Sequence, residues 1–476
     1  MPPWHRITTV LLLWAAVQAA GQPSSQVPLR LHPDNGHYLQ FRGRPTVLIT
    51  SGEHYGAVLN LDFDYLAYLD ELRENGLNLT RTFSGTYREV AASFGITDNT
   101  LAPARYLAPW ARSSVPGAAD GGNQFDLGKF DPAYFDRLGD FLSQASRRDI
   151  VVEFVLFCPF YEEDLWAVNP MNAANNVNGV GRCGREEVYT LLHEDLLRVQ
   201  EAFVRKAVTA LNRFDNVYFE ICNEPYFGGV REDWQARIAR IIVETEKSLP
   251  NRHLISQNIA NGRKRIEKPD PSVSIFNFHY ATPPDTVAEN YKLNRVLADD
   301  ETGFRGKNDV LYRTEGWDFI VAGGGIYSSL DYSFTPRHPD GTFTEFRSPG
   351  GGGRELRHQL RILKDFIHGF DFVRMAPHNE AVDSGTVRAS LSGVPAQARV
   401  SARVLAEPGK AYAVYVLGGS AVELVLSLPA GDYLAEWVDT KTGKIAGTEK
   451  FAHAGGARTL TSPQYQEDIA LRILAH

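Results

Sequence analysis

The chain has 476 residues, 43% hydrophobic and 22% charged, with a formal net charge of −8. That length exceeds one ordinary core and fits a large barrel with a smaller domain. The composition excludes extended disorder, and the acidic balance excludes a general attraction for nucleic acid or anionic membranes.

Residues 1–20 have the layout of a secretory signal. His5 and Arg6 precede an apolar run over residues 10–17, and Val17-Gln18-Ala19-Ala20 offers small residues for cleavage. The run is too short to span a membrane, and no other stretch reaches that length, so a secreted chain without a membrane span is expected. Three cysteines do not make a disulfide framework. A Cys158–Cys183 bridge is one arrangement they allow, with Cys222 left buried and free.

Beyond a polar linker over 21–29, the runs Tyr38-Leu39-Gln40-Phe41 and Thr46-Val47-Leu48-Ile49 flank the turn Arg42-Gly43-Arg44-Pro45. They read as a hairpin leading into a first strand. Strand-like and helix-like segments then alternate. Residues 59–75 have helical periodicity, with Phe63, Leu66, Leu69 and Leu72 on one side and Gly76 as a stop. Further helices are expected over 134–147, 186–212 and 234–249. Strands are expected at 46–51, 77–83, 150–157, 217–223, 253–258, 273–280, 309–315 and 370–376. Eight strand–helix units argue for a parallel sheet closed as a (β/α)8 TIM barrel over 27–380. From 385 to 476, short strands at 411–416, 422–426 and 433–438, separated by turn clusters, read as an antiparallel β-sandwich.

Two glutamates fall where barrel chemistry is done. Asn223-Glu224-Pro225 ends the expected fourth strand, because proline cannot continue a ladder. Glu315, before Gly316, ends the expected seventh. Opposed rim carboxyls about 5–5.5 Å apart suit glycoside cleavage with retention. Glu220 and Arg313 share strand parity with Glu224 and Glu315, so they are expected to point inward and pair beneath them.

The run LNRFDNVYFEICNEPY resembles the strand-four signature of glycoside hydrolase clan A, which includes the family 5 cellulases. The resemblance covers roughly residues 30–380 and extends to Arg81 in LNLTRTF and His279 in FNFHYA. It implies a retaining hydrolase of O-glycosidic bonds, β-linked, in a poly- or oligosaccharide, with no cofactor and no metal. Glu224 would be the acid/base and Glu315 the nucleophile. Asn223 would bind the sugar 2-hydroxyl, Arg81 would keep Glu315 ionised, and His279 would complete the site. Departures are visible. The tyrosine often found two residues after the histidine is Ala281 here, and Tyr280 should face the other way by alternation. The tryptophan ending the eighth strand is missing, so Trp317 is the candidate sugar-stacking face, joined by Trp166 in the asparagine-rich loop 166–181. The competing readings are a non-catalytic glycan-binding protein and a metal-dependent hydrolase. The second has only Glu53-His54 at the first strand in its favour. A serine hydrolase is disfavoured because no Gly-x-Ser-x-Gly elbow is present.

Overall fold

The computed structural model describes residues 27–476 apart from 54, 92, 97–100, 383–387 and 390–399. Residues 1–20, expected to be a secretory signal, and His54 therefore lie outside the described residues. Eight strands form one parallel sheet: β1 (Leu48–Gly52), β2 (Leu79–Phe83), β3 (Val151–Val155), β4 (Val217–Glu220), β5 (Ile255–Asn261), β6 (Ile275–His279), β7 (Val296–Glu301) and β8 (Ile326–Leu330). Their hydrogen-bonded order is β1-β8-β7-β6-β5-β4-β3-β2. Asn78 bridges the remaining seam. Its side chain accepts from Ile49 N–H at 2.8 Å and donates to the Val47 carbonyl at 2.9 Å. The barrel is thus nearly closed.

Helices cover the barrel: α1 (Tyr65–Glu74), α2 (Pro132–Ser146), α3 (Glu194–Leu211), α4 (Glu232–Glu246), α5 (Asp285–Asn290), α6 (Asp309–Val321) and α7 (Arg354–His368). Local chemistry sets their ends. Asp64 caps α1 by accepting from the Leu66 and Ala67 N–H groups, and Gly76 takes the left-handed turn (φ 68°) that stops it. Asp131 caps α2, with Pro132 in the first turn, where a missing N–H costs nothing. No described helix is long and apolar enough to cross a membrane.

The barrel interior is layered. At the base, Leu48, Leu79, Val151, Ile275, Val296 and Ile326 pack against Leu29, Leu39 and Phe41. The last three come from the N-terminal segment, a small antiparallel sheet of Arg30–Leu31, Leu39–Phe41 and Arg44–Thr46 that seals this end. Above lies a polar layer of Arg81, Glu153, Glu220 and Asn277, all buried. The other end is left to hold the site.

The first six expected strands are present, but the last two are not where the sequence placed them. Residues 309–315 belong to α6, and residues 372–374 form a single 3-10 turn. The seventh and eighth strands are instead β7 and β8. Ten of the thirteen residues of α6 are buried, because β8, α7 and the C-terminal sheet all pack on it. A helix buried on every side has no polar face, and its sequence then looks like a strand. β7 in turn closes with three acids and β8 carries two serines, so neither reads as apolar.

The C-terminal sheets hold β9 (Ser401–Glu407), β10 (Ala411–Leu417), β11 (Val422–Leu428), β12 (Gly431–Val438), β13 (Ile445–His453), β14 (Gly456–Thr461) and β15 (Asp468–Ala475). Ala376–Pro377, β9, β10, β15, β12 and β13 make one antiparallel sheet, and Arg388–Ala389, β11 and β14 the other. β10 serves two cores by alternation: Tyr412, Val414 and Val416 face the sandwich, while Ala413 and Tyr415 join the barrel core. Tyr415 stacks on Trp317 at 5.6 Å between centroids, and Arg313 of α6 donates to Asp468 Oδ1 at 2.5 Å. The sandwich is therefore fastened to the barrel through α6.

Candidate active site

The strand ends place consecutive side chains on one face by breaking the usual alternation. At β4, Glu224 has a left-handed backbone (φ 36°), so both Asn223 and Glu224 line the pocket. At β6, Tyr280 does the same (φ 54°), and it too lines the pocket beside His279, which alternation would not allow. Between β6 and β7 the register slips from Phe278–Asp299 to His279–Glu301. This bulge turns both Asp300 and Glu301 inward, toward His279.

Arg81, inward on β2, sits at the centre. Its Nη1 donates to Glu301 Oε2 at 2.7 Å, and its Nη2 donates to Glu220 Oε1 at 2.8 Å and to Asn223 Oδ1 at 2.6 Å. Asn223 Nδ2 passes a hydrogen bond on to the Tyr161 hydroxyl at 2.8 Å, which donates to Glu224 Oε2 at 2.7 Å. His279 Nδ1 lies 3.3 Å from Glu224 Oε1 and 3.6 Å from Glu301 Oε1. Carboxylate oxygens of Glu224 and Glu301 come within 4.8 Å of each other. They open on a pocket of about 320 Å³ lined also by Phe83, Tyr87, Glu89, Asn261 and Tyr332.

The interior holds more carboxylates than cations, and burial forbids ionising them all. Burial pushes Glu153 and Glu220 up to about 8, against the pull of Arg81. Burial also raises Glu301, opposed by His279 and Arg81 but reinforced by the charge of Glu224. Glu224 is driven up by burial too, yet the hydrogen bond and charge of His279, with the Tyr161 hydroxyl, bring it below the ordinary value. His279 is held well above its usual range: burial opposes the proton, but Glu301, Asp300 and Glu224 outweigh it.

Several expected roles change. Glu315 lies on α6, outside the pocket lining, where its Oε2 accepts from Arg305 at 2.7 Å and Thr302 at 3.1 Å. The carboxylate that Arg81 grips is Glu301. Glu220 pairs with Arg81 and Arg313 with Asp468, so these two do not meet. Trp317 is buried under Tyr415, and Trp166 packs on Phe160 while donating to the Cys183 carbonyl, so neither offers a face to a sugar. The amides of the 166–181 loop bond largely to backbone: Asn169 to Thr86, Asn175 to Ala167, Asn176 to Asn172. The three cysteines are free; Cys158 faces the pocket near Asn223 and Tyr161. Glu53 satisfies its carboxylate on the N–H groups of Tyr55, Gly56 and Ala57. Two groups, Glu224–His279–Glu301 and Glu153–Glu220–Asp300, have the spacing to hold a cation, but the Arg81 guanidinium already supplies positive charge between them.

Sequence reasoning missed Glu301 and Tyr161. The signal for Glu301 was there: Asp299-Asp300-Glu301 directly follows the strand-like Val296-Leu297-Ala298. Tyr161 carried none, since it lies in a loop three residues beyond Cys158.

No family model and no curated protein matches the chain. Solved structures share its fold. A candidate glycoside hydrolase from Bacteroides vulgatus ATCC 8482 aligns over 96% of this chain and 84% of its own, with 15% identity and a TM-score of 0.64. A glycoside hydrolase aligns over 94% and 97%, with 13% identity and a TM-score of 0.60. A family 5 glycoside hydrolase from Bacteroides vulgatus ATCC 8482 aligns over 95% and 95%, with 14% identity and a TM-score of 0.57. The chain thus has the fold of these structures, a parallel eight-stranded barrel carrying a C-terminal antiparallel domain.

Proposed function

We propose that the protein is a retaining glycoside hydrolase acting on β-linked O-glycosides, with Glu224 as acid/base and Glu301, in place of Glu315, as nucleophile. The observation that carries this is the approach of Glu224 and Glu301 to within 4.8 Å at the ends of β4 and β7. Retention needs carboxyls about 5–5.5 Å apart, whereas inversion needs a gap wide enough for water. The fold shared with glycoside hydrolases supports the same reading.

In the free site the surrounding carboxylates favour the charged form of His279, and of the two carboxyls burial and neighbouring charge favour a proton on Glu301 over Glu224. The first chemical step needs Glu224 protonated. His279 Nδ1, 3.3 Å from Glu224 Oε1 and 3.6 Å from Glu301 Oε1, is placed to give its proton to Glu224 and take the one on Glu301, which leaves its own charge unchanged. Once Glu224 is neutral, the like charge that raises Glu301 is gone, and the retained charge of His279, with Arg81 at 2.7 Å, holds Glu301 as the anion. Glu224 then protonates the glycosidic oxygen while a Glu301 oxygen bonds to the anomeric carbon. The leaving alcohol departs, and a glycosyl ester remains on Glu301. Glu224, now ionised, takes a proton from water, whose oxygen displaces Glu301 and restores the site. Asn223 and Tyr280, which line the pocket, would face the bound sugar, with Arg81 and His279 behind the carboxylates. The N-terminal apolar run over 10–17 fits an exported enzyme meeting its substrate outside the cell.

The test is a panel of glycosyl fluorides and glycosides with product stereochemistry read by NMR. Retention is expected, and inversion would reject double displacement. Glu301→Gln should reduce turnover by at least about a thousandfold, and azide should rescue Glu301→Gly with formation of the inverted glycosyl azide. Glu315→Gln should chiefly lower the melting temperature. Loss of turnover in Glu315→Gln with full activity in Glu301→Gln would reverse the assignment. Sugar binding without turnover would favour a glycan-binding protein.

A further inference from the structure

Four large aromatic side chains stand exposed among the described residues: Phe94 (37%), Phe227 (45%) and Phe304 (45%) line the pocket mouth, and Tyr226 (37%) packs beside Phe227. They come from three separate loops, following β2, β4 and β7. Exposed apolar side chains scattered singly need no explanation, but aromatics converging on one opening mark a binding surface. The rings touch. Phe94 lies 5.9 Å from Phe304 and 5.5 Å from Tyr161, at 84° and 88°, and Tyr161 lies 5.9 Å from Phe227 at 62°. Phe94 also holds a left-handed backbone (φ 55°), a conformation that a bulky side chain adopts only where the surroundings impose it.

This arrangement does not suit a second sugar. A pyranose stacks on one flat face and needs partners for its hydroxyls. The three phenylalanines have no polar atom, and the nearly perpendicular rings of Phe94 and Phe304 form the walls of a slot rather than a platform. At the mouth the Tyr226 hydroxyl is engaged with Asn261 Oδ1. The hydrogen-bonding side chains Asn223, Glu224 and Glu301 are buried beneath. The pocket is therefore polar at depth and aromatic at the mouth.

Resting on the glycosidase reading above, we propose that the substrate is a glycoside of an apolar alcohol. One sugar residue fills the polar depth. An alkyl or polycyclic aglycone lies between Phe94, Phe227 and Phe304, and leaves as the free alcohol when Glu224 protonates its oxygen.

The experiment compares methyl and n-octyl β-glycosides of glucose, mannose, galactose and xylose, with the matching disaccharides and glycosyl fluorides, on the full chain. The two alcohols are similar leaving groups, so the ratio of their kcat/KM values reports aglycone contacts, and a partly folded variant lowers both values together. The octyl glycoside should exceed the methyl glycoside by at least about tenfold, since each buried methylene adds to binding. The double variant Phe94→Ser with Phe304→Ser should bring the ratio to within about threefold of unity by removing those contacts. A wild-type ratio near one, faster cleavage of the disaccharide, or a ratio unmoved by the double variant would overturn the inference and leave the hydrolase reading standing. Turnover of none of the glycosyl fluorides would overturn the hydrolase reading itself, and this inference with it.

Discussion

Tyr161 shows how one neutral side chain can tune Glu224, the proposed acid/base. Its hydroxyl donates to Glu224 Oε2 at 2.7 Å and is itself held by Asn223 at 2.8 Å. That hydrogen bond favours the ionised carboxylate, so it lowers the pH at which Glu224 loses its proton. Tyr161→Phe removes it, and the acid form of Glu224 then persists to higher pH. The alkaline limb of kcat/KM should move up by about one pH unit, the worth of one charge-assisted hydrogen bond. A pH–rate profile checks this, and a limb that stays in place would remove Tyr161 from the mechanism. Arg81 acts on the other carboxylate. Its guanidinium reaches Glu301, Glu220 and Asn223 together, a fork that an ammonium cannot reproduce. Arg81→Lys should lower kcat by about a hundredfold or more while KM changes little, because displacing Glu301, the proposed nucleophile, weakens the transition state more than substrate binding. Steady-state kinetics on one aryl glycoside separates the two constants.

At the scale of elements, α6 is the piece whose identity the sequence concealed. Gly316 lets it lie against β8: a Cβ there would come within 2.8 Å of the Tyr327 ring. Tyr327 cannot step aside, since it is buried and its hydroxyl donates to the Tyr312 carbonyl at 2.6 Å. Alanine would gain about 1 kcal/mol of helix propensity, but overpacking a rigid core costs about 1–3 kcal/mol. Gly316→Ala should therefore lower the melting temperature by a few degrees in thermal denaturation, and a stabilised variant would show that the seam is loose. The rim devices belong to the same scale. The bulge in β7 and the left-handed residues at Glu224 and Tyr280 turn neighbouring side chains into one pocket. Strand parity read from sequence assumes unbroken alternation, so it misplaced Tyr280 and gave no warning of Asp300 beside Glu301.

For the whole molecule, the buried charges link stability to pH and the barrel to the sandwich. Glu153 and Glu220 titrate near 8 in the folded chain, against an ordinary value of 4.5. Between these values the folded state holds protons that the unfolded chain has released, so stability falls as pH rises. The contribution is complete below the unfolded value and is lost as pH passes the folded one. The melting temperature should drop from about pH 5 to about pH 8, and Glu153→Gln, which cannot ionise, should flatten that drop. Calorimetry across that range decides it, and a melting temperature that rises with pH would contradict the buried-carboxylate account. The sandwich is tied on by Arg313–Asp468, buried on both sides. Asp468→Asn leaves the buried arginine with only the more distant and partly exposed Glu467, at 3.5 Å, and should destabilise the chain by up to about 3–5 kcal/mol.

The sequence by itself determined a great deal. Six barrel strands, α1 to α4 and the sandwich strands β10 to β12 were legible because each carries a regular apolar pattern or ends at a capping residue, a glycine or a proline. Glu224, Asn223, Arg81 and His279 were legible because they close or occupy such strands. The tertiary structure alone decided that Glu301 rather than Glu315 faces Glu224. A helix buried on every side and a strand ending in charge both lose the periodicity that sequence reading depends on. Only the closure of the barrel, which brings β7 beside β6 and lays α6 beneath the sandwich, distinguishes the carboxylate that enters the pocket from the one that does not.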